Sequence, residues 1–125
     1  MASGVHELRQ AVLVVEDEEI LRKLATEFVE DAGFEAIEAE AADEAVQILE
    51  RRTDIRIVFT DINMPGRLDG IQLAASIRDR WPPIEIILNS GQDTPKSHEL
   101  PSRAVFLPKP YQFTKVVEVL HEMVR

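Results

Sequence analysis

Five short apolar runs recur along the chain, each bounded by polar or turn-forming residues. They are Ala11–Val15, Phe34–Ala39, Ile57–Asp61, Ile84–Leu88 and Ala104–Leu107. Each is rich in β-branched or aromatic residues and too short for a buried helix, which predicts strands covered on both faces. Between them the period changes to that of a helix. Ile20, Leu21, Leu24, Phe28 and Val29 form one stripe, stopped by Gly33. Ala42, Ala45, Val46 and Leu49 form a second, with Arg51 and Arg52 in the last turn, where positive charge is favoured. A third begins near Asp69-Gly70, buries Leu73, Ala74, Ile77 and Trp81, and ends at Pro82-Pro83. Phe113, Val116, Val117, Leu120, Met123 and Val124 line the last. From Gln92 to Arg103 no period holds, and Pro95 and Pro101 leave room for a short fourth helix at most. Strand and helix alternate five times, so the expected fold class is α/β. It is a doubly wound five-stranded parallel sheet, flavodoxin-like in order 2-1-3-4-5, with a short or irregular fourth helix. Residues 1–10 read as a flexible N-terminus and 11–125 as the folded domain.

Composition narrows the class. The 125 residues suit one domain, and 45% hydrophobic with 30% charged residues is a globular balance. No apolar run reaches membrane-span length, and no signal pattern opens the chain. With no cysteine, disulfides and thiolate metal sites are excluded, which fits a cytoplasmic location. A net charge of −9 argues against a nucleic-acid surface and suits a cation or a basic protein partner.

Polar groups gather where the strands end. Glu16 and Asp17 follow the first strand, Asp61 ends the third, Ser90 follows the fourth and Lys109 the fifth. With strands one and three adjacent, these side chains converge on the crevice at the carboxyl edge, where ligands bind in open α/β sheets. Carboxylates ~4 Å apart repel by about 4 kcal/mol at an effective dielectric near 20, and a hard divalent cation relieves this. A cation, a hydroxyl and an ammonium around one carboxylate also suit a phosphoryl group. Plainer readings compete with each of these. Aspartates such as Asp61 often begin turns, and Glu18 and Glu19 read as helix capping. His6, His98 and His121 lack ligand spacing and read as surface histidines. The Trp81-Pro82-Pro83 corner reads as helix termination, and no Gly-rich loop suggests nucleotide binding.

Together the acidic pair Glu16-Asp17, the motif Asp61-Ile62-Asn63-Met64-Pro65, Ser90 and Lys109-Pro110 resemble the response-regulator receiver domain over nearly all of Ala11–Arg125. The resemblance implies that Asp61 accepts a phosphoryl group from a phosphohistidine on a sensor histidine kinase or phosphotransfer protein. It implies that Mg2+ is held by Asp17, Asp61 and the backbone carbonyl of Asn63, with Glu16 acting through water. Lys109 would bridge to the phosphate, Ser90 would swing inward as the switch, and Lys109-Pro110 would be cis. Gly91 would let the backbone approach the site. Output would run through the fourth helix, fifth strand and fifth helix to a downstream protein target. Phe106 stands where a reporting aromatic turns, or serves as an ordinary strand residue. A stand-alone regulator, monomeric or weakly dimeric, is expected, catalysing only its own phosphotransfer and dephosphorylation; a segment of a longer regulator or hybrid kinase is the other possibility.

Three features depart from that family. The loop Met64–Gly70 is one residue longer than the family's common form, the stretch between Ser90 and Phe106 is shorter than usual, and Asn89 stands where a small or hydrophobic residue is more familiar. The rival reading is a Mg2+-dependent phosphohydrolase using an aspartyl phosphate. Such enzymes place an acid two residues after the nucleophile, and Asn63 cannot protonate a leaving group.

Overall fold

The computed structural model describes residues 9–64, 66, 69–91, 95 and 100–125. Its strands are β1 (Ala11–Val15), β2 (Glu35–Ala39), β3 (Ile55–Asp61), β4 (Glu85–Ser90) and β5 (Ala104–Pro108). They pair in parallel, as the alternation of runs predicts, and in the order β2-β1-β3-β4-β5 expected of the flavodoxin-like type. Among the described residues the helices are α1 (Glu19–Asp31), α2 (Ala42–Arg51), α3 (Gly70–Arg80) and α4 (Phe113–Met123). The stretch expected to hold a short or irregular helix falls mostly outside the described residues. So do His6, His98 and most of the loop after Met64.

Each face of the sheet has its own core. Leu13, Val15, Val58, Ile86 and Leu88 meet Ala45, Leu49, Leu73 and Ile77 from α2 and α3. On the other face Val12, Val14, Ile57, Phe59, Ile87 and Leu107 meet Ala25, Val29, Val116 and Leu120 from α1 and α4. Helices therefore cover both faces, and the central strands are buried almost throughout. Ile55 and Ile57 point to opposite cores although only Arg56 separates them, against the period-two rule. The pairing of β3 with β1 shifts between Ala11 and Val12, so that Arg56 is passed over. That bulge sets which face every later residue of β3 presents, Asp61 included.

Several elements differ from expectation. The α1 stripe is turned: Ile20 is 81% exposed and Leu24 40%, while Ala25, Thr26 and Val29 are buried. Position on the helix outweighs bulk here, and the smaller residues are the ones lying against the sheet. In α2 and α4 Ile48 and Val119 are buried, whereas Val46 and Val117 are only half-buried. Strand β4 runs two residues further than expected, carrying Asn89 and Ser90 within it. Trp81 is half-buried, with the Arg80 guanidinium 4.3 Å above its ring. Gly33, at φ 100°, makes the predicted stop after α1.

Candidate phosphoacceptor site

Ladder geometry brings the predicted residues together. Val15 pairs with Thr60, which places Glu16 and Asp17 beside the end of β3. Asp61 pairs with Asn89, so Ser90 lies just beyond the carboxylate, and Ser90 in turn pairs with Pro108. Glu16 and Asp61 are buried, Asp17 is exposed, and one oxygen from each lies within 4.8 Å of the others. At that separation two carboxylates repel by about 3.5 kcal/mol at an effective dielectric near 20.

Lys109 answers part of this charge. Its Nζ donates to Glu16 Oε1 at 3.0 Å and to Asp61 Oδ2 at 3.2 Å. Burial alone would lower its pKa, but the hydrogen bond to Glu16 and the charge of Asp61 outweigh that and raise it. Glu16 is pushed upward, chiefly by burial, with Lys109 and the Glu18 amide pulling the other way. Both Glu16 oxygens are engaged, since Oε2 accepts from the Glu18 backbone N–H at 3.2 Å. Glu18 itself stands at the N-cap of α1 but makes no side-chain capping bond, so the capping expected of it is absent. Glu19 sits in the first turn of α1, as expected.

Asp61 Oδ1 accepts the backbone N–H of Asn63 at 3.1 Å, and Asn63 Nδ2 donates to Ser90 Oγ at 3.0 Å. Asp17, Glu18, Leu21, Asp61, Asn63, Gly91 and Lys109 line a cavity of about 250 Å³ over the carboxylates. The Lys109–Pro110 peptide bond is cis. The donor set fits a hard cation: three carboxylates on two adjoining strands, one of them open to solvent. Phe106 is half-buried against the α2/α3 core. His121 is exposed, with a ring nitrogen 3.0 Å from the Ala32 carbonyl, in keeping with a surface role.

A profile of the response regulator receiver domain matches residues 12–121. The chain belongs to this family. The receiver is 33% identical over 116 residues to the sensor kinase CckA of Brucella abortus, matching 90% of this chain and 12% of that protein. It thus spans a small part of such relatives; for the response regulator FleR of Pseudomonas aeruginosa the share is 16%. The crystal structure of the receiver domain of the hybrid histidine kinase CckA superposes with TM-score 0.78 at 28% identity, covering 92% of this chain and 99% of that one. A receiver protein from Sinorhizobium medicae shares the fold at TM-score 0.88 and 24% identity, over 94% and 96% of the two chains. No helix among the described residues is long and apolar enough to cross a membrane.

Two residues of this receiver's site escaped the sequence reading. A Cβ on Gly70 would lie 2.2 Å from the Asp61 carbonyl oxygen and 2.6 Å from Ile62 Cα. Only glycine lets the start of α3 sit against the end of β3, where the Gly70 N–H reaches Ile62 O at 2.8 Å. The Asp-Gly pair was visible as a helix start but not as this contact. Tyr111, next after Lys109-Pro110, leans on Phe59 and Phe28 at centroid distances of 5.3 and 6.0 Å. Burial pushes its phenol up to about 12. No local pattern marks it, because its partners come from β3 and α1.

Proposed function

We propose that Asp61 is the phosphoacceptor of this receiver, charged by a histidine kinase or phosphotransfer protein in two-component signalling. The observation that carries the reading is Lys109 Nζ at 3.2 Å from Asp61 Oδ2, with Glu16 and Asp17 oxygens clustered beside it. The Asn63 N–H holds Oδ1, and Oδ2, which faces Lys109, keeps a lone pair with which to attack. Oδ2 forms a bond to phosphorus, the P–N bond of the donor breaks with its electron pair returning to the imidazole nitrogen, and an acyl phosphate results. Lys109 stands beside Oδ2 to neutralise phosphoryl charge, and Ser90 supplies a hydroxyl donor at the neighbouring strand end. Asp17, Asp61 and the Asn63 carbonyl would hold Mg2+, with Glu16 acting through water; when bound, the ion neutralises phosphoryl oxygens. Phe106 and the β5–α4 face would pass the change to a downstream protein.

Exposed apolar side chains form the donor's seat. Leu21, Leu24, Gly91, Lys109, Pro110 and Tyr111 line a cavity of about 380 Å³ beside the carboxylates. Ile20, next to Leu21 on α1, and Phe113, two residues after Tyr111 at the start of α4, are large exposed apolar side chains, 81% and 38% accessible. Such a patch beside a reactive group suits a transient protein partner. A phosphohydrolase reading gains nothing from Asn63, whose carboxamide carries no acidic proton and is bonded to Ser90.

The test is direct. With acetyl phosphate and Mg2+ the intact mass gains one phosphoryl group, and Asp61→Asn abolishes the gain. Equal labelling of that variant would remove Asp61 from its role.

A further inference from the structure

We infer that Arg22 is a positioning residue for Asp17: its guanidinium grips the peptide joining Glu16 to Asp17 and so aims the Asp17 carboxylate at Asp61. The role rests on the reading of this crevice as a Mg2+ site. Glu16 and Asp61 are each held by side-chain bonds, to Lys109 and to the backbone N–H groups of Glu18 and Asn63. Asp17 is exposed, and among the described residues its carboxylate has no hydrogen-bond or ion-pair partner. One of its oxygens nevertheless lies within 4.8 Å of oxygens of Glu16 and Asp61. Its aim therefore depends on its backbone.

Arg22 lies in the first turn of α1, where its own N–H reaches the Glu18 carbonyl at 2.8 Å. Its side chain is only 11% exposed. Nη1 donates to the Glu16 backbone carbonyl at 2.9 Å, and Nε donates to Glu38 Oε1 at 2.9 Å. Glu38 stands on β2 opposite Val14, and the Glu16 N–H reaches the Ala39 carbonyl at 3.1 Å. A peptide unit is planar, so a donor on its carbonyl restrains the whole plane, and with it ψ of Glu16 and φ of Asp17. Those angles set where the Asp17 Cβ points. The guanidinium fork is rigid, and its second bond to Glu38 keeps it from turning away. A role through charge alone has the opposite sign. A cation beside a cation site repels the ion, so removing it would tighten binding.

Two measurements test this. In the metal-free protein, nitrogen relaxation gives the Asp17 amide an order parameter of about 0.85, the rigid-backbone value, which falls toward about 0.6 in Arg22→Ala. Mg2+ is then titrated at constant ionic strength and followed by backbone amide shifts. Arg22→Ala weakens binding about ten-fold or more, as removal of a metal ligand's supporting contact does. Arg22→Lys keeps the charge and one donor but not the fork, and weakens binding by a smaller factor. Arg80→Gln breaks the Arg80–Glu50 pair, near the amino-terminal ends of β3 and β4, and leaves Mg2+ binding unchanged. Native-like or tighter binding in either Arg22 variant would overturn the positioning role. So would an Asp17 order parameter that does not fall, or equal weakening by Arg80→Gln, which would reduce the effect to general destabilisation. A native protein that binds no Mg2+ would remove the cation reading and the purpose of the aim together, whereas the other results remove Arg22's role alone.

Discussion

Glu16 and Tyr111 show how burial at single residues becomes measurable in solution. The Glu16 carboxyl, raised above its ordinary 4.5 mainly by burial, holds its proton in the folded state at a pH where the unfolded chain has lost it. A carboxyl so shifted destabilises the fold once ionised, and the loss is relieved as pH falls through the folded value toward 4.5. Lys109, raised above 10.5, keeps its contribution throughout that range and loses it only in strong alkali. In urea unfolding with EDTA present, the stability of the native protein relative to Glu16→Gln is expected to rise between pH 7 and pH 4.5. Tyr111 offers a cleaner probe, since the chain has one tyrosine. Its phenolate absorbance should appear near pH 12 in the folded protein and near 10 in urea, and stability should fall as pH rises between those values. Titration near 10 in both states would mean that the ring is not held against Phe59 and Phe28. Neither shift could be read from the sequence, because burial is a property of what surrounds the group.

At the scale of elements, the join between β3 and α3 carries the most constraint. Asp69 caps α3 with a reciprocal box, its side chain accepting from the Gln72 N–H at 2.8 Å and Gln72 Oε1 accepting from the Asp69 N–H at 3.0 Å. A helix beginning near Asp69-Gly70 is legible in the sequence, and this box is the local reason that it begins there. The next residue is constrained by contact instead. Gly70→Ala must push α3 away from the Asp61 carbonyl, a clash of the overpacking kind, costing about 1–3 kcal/mol. A lower urea midpoint together with slower labelling by acetyl phosphate is the expected outcome, and a variant of native stability would show that the helix start yields freely. Helix faces illustrate the same division. The α1 segment was recognised as a helix from its period, yet its buried side runs through Ala25, Thr26 and Val29 rather than Ile20 and Leu24. Period gives the element; which third of its circumference is covered depends on its neighbours.

Across the whole molecule, the sheet gathers a charge cluster that no segment holds alone. Carboxylates from the ends of β1 and β3 share one lysine from beyond β5, and the repulsion left over is what a cation would relieve. A ligand that binds only the folded chain stabilises it by mass action, about 2.7 kcal/mol at one hundred times its dissociation constant. Mg2+ at that excess should raise the urea midpoint of the native protein, and Asp17→Asn should abolish most of the rise. An equal rise in both proteins would place the ion elsewhere.

The sequence by itself determined the alternation of strands and helices, the parallel sense of the sheet and the residues that stand at the ends of its strands. Those follow from short-range causes: side-chain periodicity, turn chemistry and the placing of polar residues at the ends of apolar runs. Only the tertiary structure decided that β3 skips Arg56 in pairing with β1, that Lys109 is divided between Glu16 and Asp61, and that Asn63 reaches Ser90. Each depends on distances between segments far apart in the chain, which register and packing fix and no local pattern encodes.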